Sequence, residues 1–224
     1  MKTLTIIIFL TFGSLIWAQE KPSEVPAETK VENSDQWHFG LGGSLSLRSK
    51  LRFDTVTATG VTGNLVADLD YSNVFSIELE ARKINQMSWG LMGGLTFDGE
   101  RQLTGGSITG GGVSLVVSDS DPSKIQATVI YGNAVYRWNQ FYLPFGLNIS
   151  AIKFTAASSF TGTSSASGGV GAQVGFGVYV KDNFVIEGYS RAVAVKLSST
   201  SSSSTTNYGT GFLSNVMLTG KYIF

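Results

Sequence analysis

The sequence predicts an all-β chain folded as an eight-stranded antiparallel up-and-down transmembrane β-barrel. Three observations predict it. Apolar and polar residues alternate with period 2 in eight segments between Trp37 and the last residue, the signature of two-faced strands. The links between those segments alternate long and short, as in a meander whose hairpins differ at its two ends. Charge is sparse: Asp, Glu, Lys and Arg make up 14% of the chain, against about 25% in ordinary soluble domains.

Ahead of the strands, Lys2, an apolar run from Leu4 to Trp17 and then Ala18-Gln19 read as a secretory signal over 1–18. The run is too short to cross about 30 Å of hydrocarbon as a helix. Residues 19–36 hold Lys, Glu, Pro, Thr and Asn with hardly an apolar side chain, and are expected to be a disordered tail. The barrel is expected over 37–224, and no later segment is apolar for long enough to form a transmembrane helix. Sixteen basic and sixteen acidic residues cancel, which leaves no electrostatic footprint for nucleic acid. Cysteine is absent, so disulfides and thiolate metal sites are excluded.

Strand one sets Trp37, Phe39, Leu41, Gly43, Leu45 and Leu47 against His38, Gly40, Gly42, Ser44, Ser46 and Arg48. Residues 49–69 lose the pattern and read as a long loop. Strand two alternates Tyr71, Asn73, Phe75, Ile77, Leu79 and Ala81 with Ser72, Val74, Ser76, Glu78, Glu80 and Arg82. After a short link, strand three places Trp89, Leu91, Gly93, Leu95 and Phe97 on one face. Residues 99–123, rich in glycine and closed by Asp121-Pro122, read as a second long loop. Strand four carries Ile125, Ala127, Val129, Tyr131 and Val135 on its apolar face and ends in a tight turn at Trp138-Asn139-Gln140. Strand five opposes Phe141, Leu143, Phe145, Leu147 and Ile149 to Tyr142, Pro144, Gly146, Asn148 and Ser150; a proline there suits a strand start at a sheet rim. A third loop spans 155–168, and strand six opposes Val170, Ala172, Val174, Phe176, Val178 and Val180 to Gly171, Gln173, Gly175, Gly177 and Tyr179. Strand seven puts Glu187, Tyr189 and Arg191 opposite Phe184, Ile186, Gly188 and Ala192, and a Ser/Thr tract over 198–206 makes the fourth loop. In strand eight, about 211–224, Val216, Leu218, Gly220 and Tyr222 share the face of Phe224, opposite Asn215, Thr219 and Lys221. Segments of roughly 10 to 14 residues are long enough to cross a bilayer at a tilt of about 45°.

Alternation does not say which face is wet, since a soluble barrel turns its apolar face inward and a membrane barrel turns it outward. Aromatics near strand ends (Trp37, Trp89, Phe141, Tyr222) suit interfacial girdles. The opposite faces are Gly, Ser and Thr with a few charges, and eight strands leave a lumen that side chains just fill. The run Gly132-Asn133-Ala134-Val135-Tyr136-Arg137-Trp138, followed by Leu143-Pro144-Phe145-Gly146-Leu147, resembles the Asn-x-x-Tyr-Arg-Phe and Pro-Tyr-x-Gly-x-Gly hairpin of the outer-membrane β-barrel family that includes the OmpA, OmpX and OmpW types. It departs at Phe145, where the family has Tyr, and at Asn148, where it has a later Gly. A last strand ending on an aromatic also resembles the closing strand of such barrels. The resemblance covers about residues 37–224. It implies a Gram-negative outer-membrane location, short periplasmic turns, long external loops, a periplasmic tail, and an assembly signal at Leu218, Gly220, Tyr222 and Phe224 read by the barrel-assembly machinery.

Glu78, Glu80, Arg82, Glu187 and Arg191 form the strongest polar constellation. In a narrow lumen such charges must pair, so a network plugging the interior is expected, the alternative being a gate or ion path. His38 is the one histidine and falls at the end away from the Ser-rich loops, so no hydrolase or acyltransferase arrangement is expected. Gly105-Gly106 and Gly110-Gly111-Gly112 lack a following Gly-Lys-Ser/Thr and read as loop glycines. Asp119 and Asp121 lack further spaced ligands for Ca²⁺. The expectation is a monomeric, non-enzymatic barrel with no catalytic residue, cofactor or metal, surrounded by outer-membrane lipid and lipopolysaccharide. Its function would lie in loops near 49–69, 99–123, 155–168 and 195–210. The alternatives are an OmpW-like narrow channel for small or hydrophobic solutes, then a soluble periplasmic barrel binder or a lipid-modifying enzyme.

Overall fold

A computed structural model describes residues 36–60, 63–84, 88–118, 122–181, 183–202 and 204–224. The segments expected as signal and tail lie outside the described residues, except for Gln36. The strands are β1 (His38–Ala58), β2 (Leu65–Tyr71), β3 (Phe75–Lys83), β4 (Trp89–Asp98), β5 (Arg101–Gly110), β6 (Val113–Val117), β7 (Lys124–Trp138), β8 (Phe141–Thr155), β9 (Gly162–Gly168), β10 (Val170–Lys181), β11 (Phe184–Ser201) and β12 (Thr205–Ile223). Eight of them, β1-β3-β4-β7-β8-β10-β11-β12, form an antiparallel ring that closes when β12 pairs β1 from Gly40↔Ile223 to Ala58↔Thr206. The remaining strands extend the staves at one end: β2 beside β1, β5 beside β2, β6 beside β5, and β9 beside β11. The fold is therefore the expected eight-stave antiparallel barrel, with four staves broken into two strands each.

Three of the expected long loops are mostly strand, and the fourth is about half strand. The span 49–69 is occupied by the rest of β1 and by β2, 99–123 by β5 and β6, 155–168 by β9, and 195–210 by the ends of β11 and β12. These stretches carry Thr and Val, which suit strands, among their Ser and Gly, but their apolar residues no longer keep the phase of the neighbouring segment. At about 3.3 Å per residue the 21 residues of β1 run about 70 Å, or about 50 Å of height at a tilt of about 40°. A bilayer's apolar band occupies about 25 Å of that. The barrel thus has a lower tier, beside the short turns, and an upper tier that stands clear of lipid.

The lower tier wears a continuous apolar band. Phe39, Leu41, Leu45 and Leu47 of β1 face outward beside Phe75, Ile77 and Leu79 of β3, and the band continues through Leu91, Ile130, Leu147, Val174, Ile186 and Leu218. Phe39 is 60% exposed and Leu147 is 64% exposed, values no aqueous surface tolerates over so wide a band. At the rim Trp89, Tyr136, Trp138, Phe141 and Phe176 touch in sequence, with ring centroids 5.2 to 6.3 Å apart. The tight turn that aligns β7 and β8 there uses Asn139 at φ 52°, the left-handed conformation a two-residue hairpin needs.

Three expected face assignments are corrected. Arg48 does not continue the inward polar face: a bulge between Ser46 and Arg48 turns Leu47 and Arg48 out together. Asn73, its amide nitrogen donating to the carbonyl oxygens of Ser46 and Leu47 at 3.2 Å each, satisfies the bulged backbone. Tyr71 does not share the lipid face of Phe75, because β2 and β3 are interrupted at residues 72–74 and Tyr71 is buried inside. In β7 the apolar row Ile125, Ala127, Val129, Tyr131 and Val135 points inward, and lipid meets Ile130 and Tyr136 instead.

Candidate functional site

Period-2 geometry sends Glu78, Glu80 and Arg82 of β3 into the lower lumen, where Glu187 and Arg191 of β11 arrive from across the barrel. The Arg82 guanidinium donates to Glu80 and, at 2.9 Å, to Glu187, and it reaches the Tyr179 hydroxyl at 3.1 Å. Arg191 takes a different set: Gln173 Oε1 at 2.8 Å and Thr96 Oγ1 at 3.0 Å, with Glu78 more distant at 3.9 Å. Gln173 in turn donates to Asn133 at 3.1 Å.

The residue that joins these groups is Lys221 of β12. Its Nζ lies 2.9 Å from Glu78, 2.5 Å from Glu80 and 2.5 Å from Glu187, so one ammonium serves three carboxylates. Three acids then meet three bases (Arg82, Arg191, Lys221), and the buried charge balances. Glu78 is 0% exposed and Lys221 is 1% exposed, so the cluster is shut off from water inside the lumen. The wall is shaped to admit it. A Cβ at Gly42 would overlap the Lys221 side chain and the Gly220 carbonyl, and one at Gly177 would overlap the Tyr142 ring, whose hydroxyl donates to Glu187.

Four more groups belong to the network: Lys221, Tyr131, Tyr142, and Tyr189, whose ring centroid lies 5.5 Å from the Lys221 ammonium. Lys221 was legible as a polar residue on the inner phase of the last strand, but its reach to β3 and β11 depends on barrel closure. Alternation likewise puts Tyr142 and Tyr189 on inward rows without showing their partners, whereas Tyr131 falls on the row expected to face lipid. Tyr131 donates to Glu80 at 3.1 Å. A second ion pair, Arg101 to Asp98 at 2.5 Å, lies higher, with Ser49 accepting from Arg101 at 3.1 Å and Ser76 donating to Asp98 at 2.8 Å.

Above that pair the interior becomes apolar. Leu51, Phe53, Ala67, Leu103, Ile125, Val129, Val193 and Leu213 pack into one core, with Leu51 and Phe53 at 0% exposure. The outward face here is wet: Lys50 pairs with Asp70 at 3.3 Å, and Arg52 with Asp54 at 2.7 Å and Asp68 at 3.6 Å. β9 pairs β11 but has no ladder to β8 among the described residues. Beside this seam, Phe154, Phe160, Leu197 and Tyr208 line a cavity of about 190 Å³, with Ser123, Ser164 and Ser199 also on its wall.

The other expected features are placed as follows. Leu218, Tyr222 and Phe224 lie in the outward band, and Gly220 is half-buried among them. Phe224 is tied to strand one, its N–H donating to the Phe39 carbonyl at 2.8 Å. His38 opens β1 at the lower rim, in register with Arg82. The glycines at 110–112 make the β5–β6 turn with φ of 128°, 54° and 78°. Asp119 and Asp121 lie outside the described residues. Among the described residues no three His, Cys, Asp or Glu side chains are grouped to hold a metal ion.

An apolar band around a closed barrel, with paired charges inside it, defines a transmembrane β-barrel of the outer-membrane type. No protein-family model and no curated protein matches the chain. Solved structures similar to it include the outer membrane protein OprG from Pseudomonas aeruginosa, at 11% identity over 84% of this chain and 95% of that one, TM-score 0.48. The outer membrane protein AlkL in lipid bilayers is similar at 9% identity over 92% and 96%, TM-score 0.48. Ail, the attachment invasion locus protein of Yersinia pestis, is similar at 15% identity over 83% and 98%, TM-score 0.36.

Proposed function

We propose that this chain is a sealed, non-enzymatic outer-membrane anchor whose upper tier is a rigid platform for contacts at the cell surface. The observation that carries the reading is the filled interior at both levels. Glu78, Glu187 and Lys221 block the lower lumen, and Leu51 and Phe53 block the upper one. A through-pore would have to break both a neutral charge cluster and an apolar core. The lumen network of Glu78, Glu80, Arg82, Glu187 and Arg191, with Lys221 added, serves as a structural plug in this reading. Leu218, Gly220, Tyr222 and Phe224 serve as the signal for the assembly machinery, and the finished barrel stands as a monomer in lipid and lipopolysaccharide. Purified protein in planar bilayers is expected to show no stable open level. A steady ohmic conductance in the wild-type protein overturns the plug.

One observation favours a second reading. The apolar cavity beside the β8–β9 seam of the upper tier could take up a small apolar solute through the barrel wall without any aqueous pore. Proteoliposome uptake of a small aromatic solute, lost when Ala157→Trp fills the cavity, would replace the first reading with this one.

A further inference from the structure

We propose that the outward face around Arg48 is a binding site for the phosphate of an outer-leaflet lipid, a reading that rests on the outer-membrane placement above. The bulge at Leu47 and Arg48 lies at the upper edge of the apolar band. Leu45 pairs Leu218 within the band, and the next outward pair up is Arg48 with Val216. Without the bulge Arg48 would point into the lumen. With it, the guanidinium stands where acyl chains end and headgroups begin.

Charge and shape at this spot favour a phosphate. Lys50 and Arg52 have carboxylate partners on the same ridge, whereas Arg48 has none among the described residues. The Lys50–Asp70 pair is half exposed on both sides, and such pairs exchange partners at little cost. Arg48, Lys50, Ser190, Ser214 and Val216 border a depression of about 210 Å³, which offers a planar guanidinium fork, an ammonium and two hydroxyls. That set of donors matches a phosphate monoester, for which Arg is the favoured bidentate partner. The apolar face directly below supplies the bed for the lipid's chains, so the occupant is a lipid phosphate rather than a free ion.

Native mass spectrometry on the full chain in micelles, with added lipid A, tests the site. Wild-type protein is expected to retain lipid A, and Arg48→Ala to retain about tenfold less, the scale of one lost charge-assisted contact. Lys153→Ala, which removes an exposed cation on β8, is expected to match wild type. Equal retention by Arg48→Ala and wild type overturns the site, as does equal retention of dephosphorylated lipid A. Displacement by inorganic phosphate at matched concentration assigns the site to a free anion and overturns the lipid. A heat-dependent gel shift in every variant shows that the barrels are folded. Wild-type protein that stays soluble without detergent overturns the membrane placement, and this site with it.

Discussion

The two tiers of the barrel are inside-out copies of each other. In the lower tier Glu78, Glu187 and Lys221 are inside and Leu41, Leu79 and Leu218 are outside; in the upper tier Leu51, Phe53 and Leu213 are inside and Lys50, Arg52 and Asp68 are outside. One sheet serves both solvents. The switch is made in two ways. In β1 and in the β2–β3 and β4–β5 staves the chain slips phase, by the bulge at Leu47 and the breaks at 72–74 and 99–100. In β7 and β11 the phase holds and the chemistry of the inner row changes: Val129 gives way to Tyr131, and Arg191 to Val193. Each tier therefore depends on a different force, and substitutions should separate them.

The largest effect is expected from Lys221→Met, which strands three buried carboxylates with two cations and should cost about 3–5 kcal/mol. Denaturant titration in micelles, followed by the heat-dependent gel shift, measures it. Phe53→Ala removes a fully buried ring from the upper core at a similar cost of about 3–5 kcal/mol. Its mark should be different: limited proteolysis is expected to open the upper tier while the membrane tier stays protected. If both variants melt the whole barrel in one step, the tiers are not separable.

Next in size is a paired comparison on the outer face. Leu79→Lys places a charge in the apolar band and should cost about 2–4 kcal/mol. Thr57→Lys, exposed on the upper tier, should be neutral within about 0.5 kcal/mol. Equal costs would move the boundary of the lipid band.

The smallest effect is a pH response of the upper tier. Burial pushes the Tyr71 phenol up to about 12 from its ordinary 10.0. A raised pKa favours the protonated folded form, so this stabilisation is complete below pH 10 and is lost as pH rises toward 12. The loss amounts to about 2.7 kcal/mol at most. Tyr71→Phe should flatten that part of the stability profile, and an unchanged slope between the two proteins would show that another group titrates there.

Much of the lower tier was legible from alternation alone. β3, β8, β10 and β12 present the faces their sequences announced, because each carries a bulky row opposite a small or charged one. The upper tier reads as loops in the sequence. Its outer rows are Thr, Ser and charge, and the bulge at Leu47 puts its inner row half a period out of step with the strand below. β7 misled for a related reason: Ile125, Ala127 and Val129 look like a lipid face, but they line the core of a water-exposed tier.

The sequence by itself determined that the chain alternates through eight staves, that five charged residues on the lumen-facing rows of β3 and β11 would need partners, and that the last strand ends on an aromatic. Those are local properties, set by side-chain period and by the cost of burying charge. Only the tertiary structure decided how far each stave rises above the band, that Lys221 is the partner of three acids on two other strands, and that Arg48 looks outward. These depend on closure and register, since which residues meet across a barrel is fixed by the pairing of strands far apart in the chain. One bulged residue is enough to exchange inside for outside.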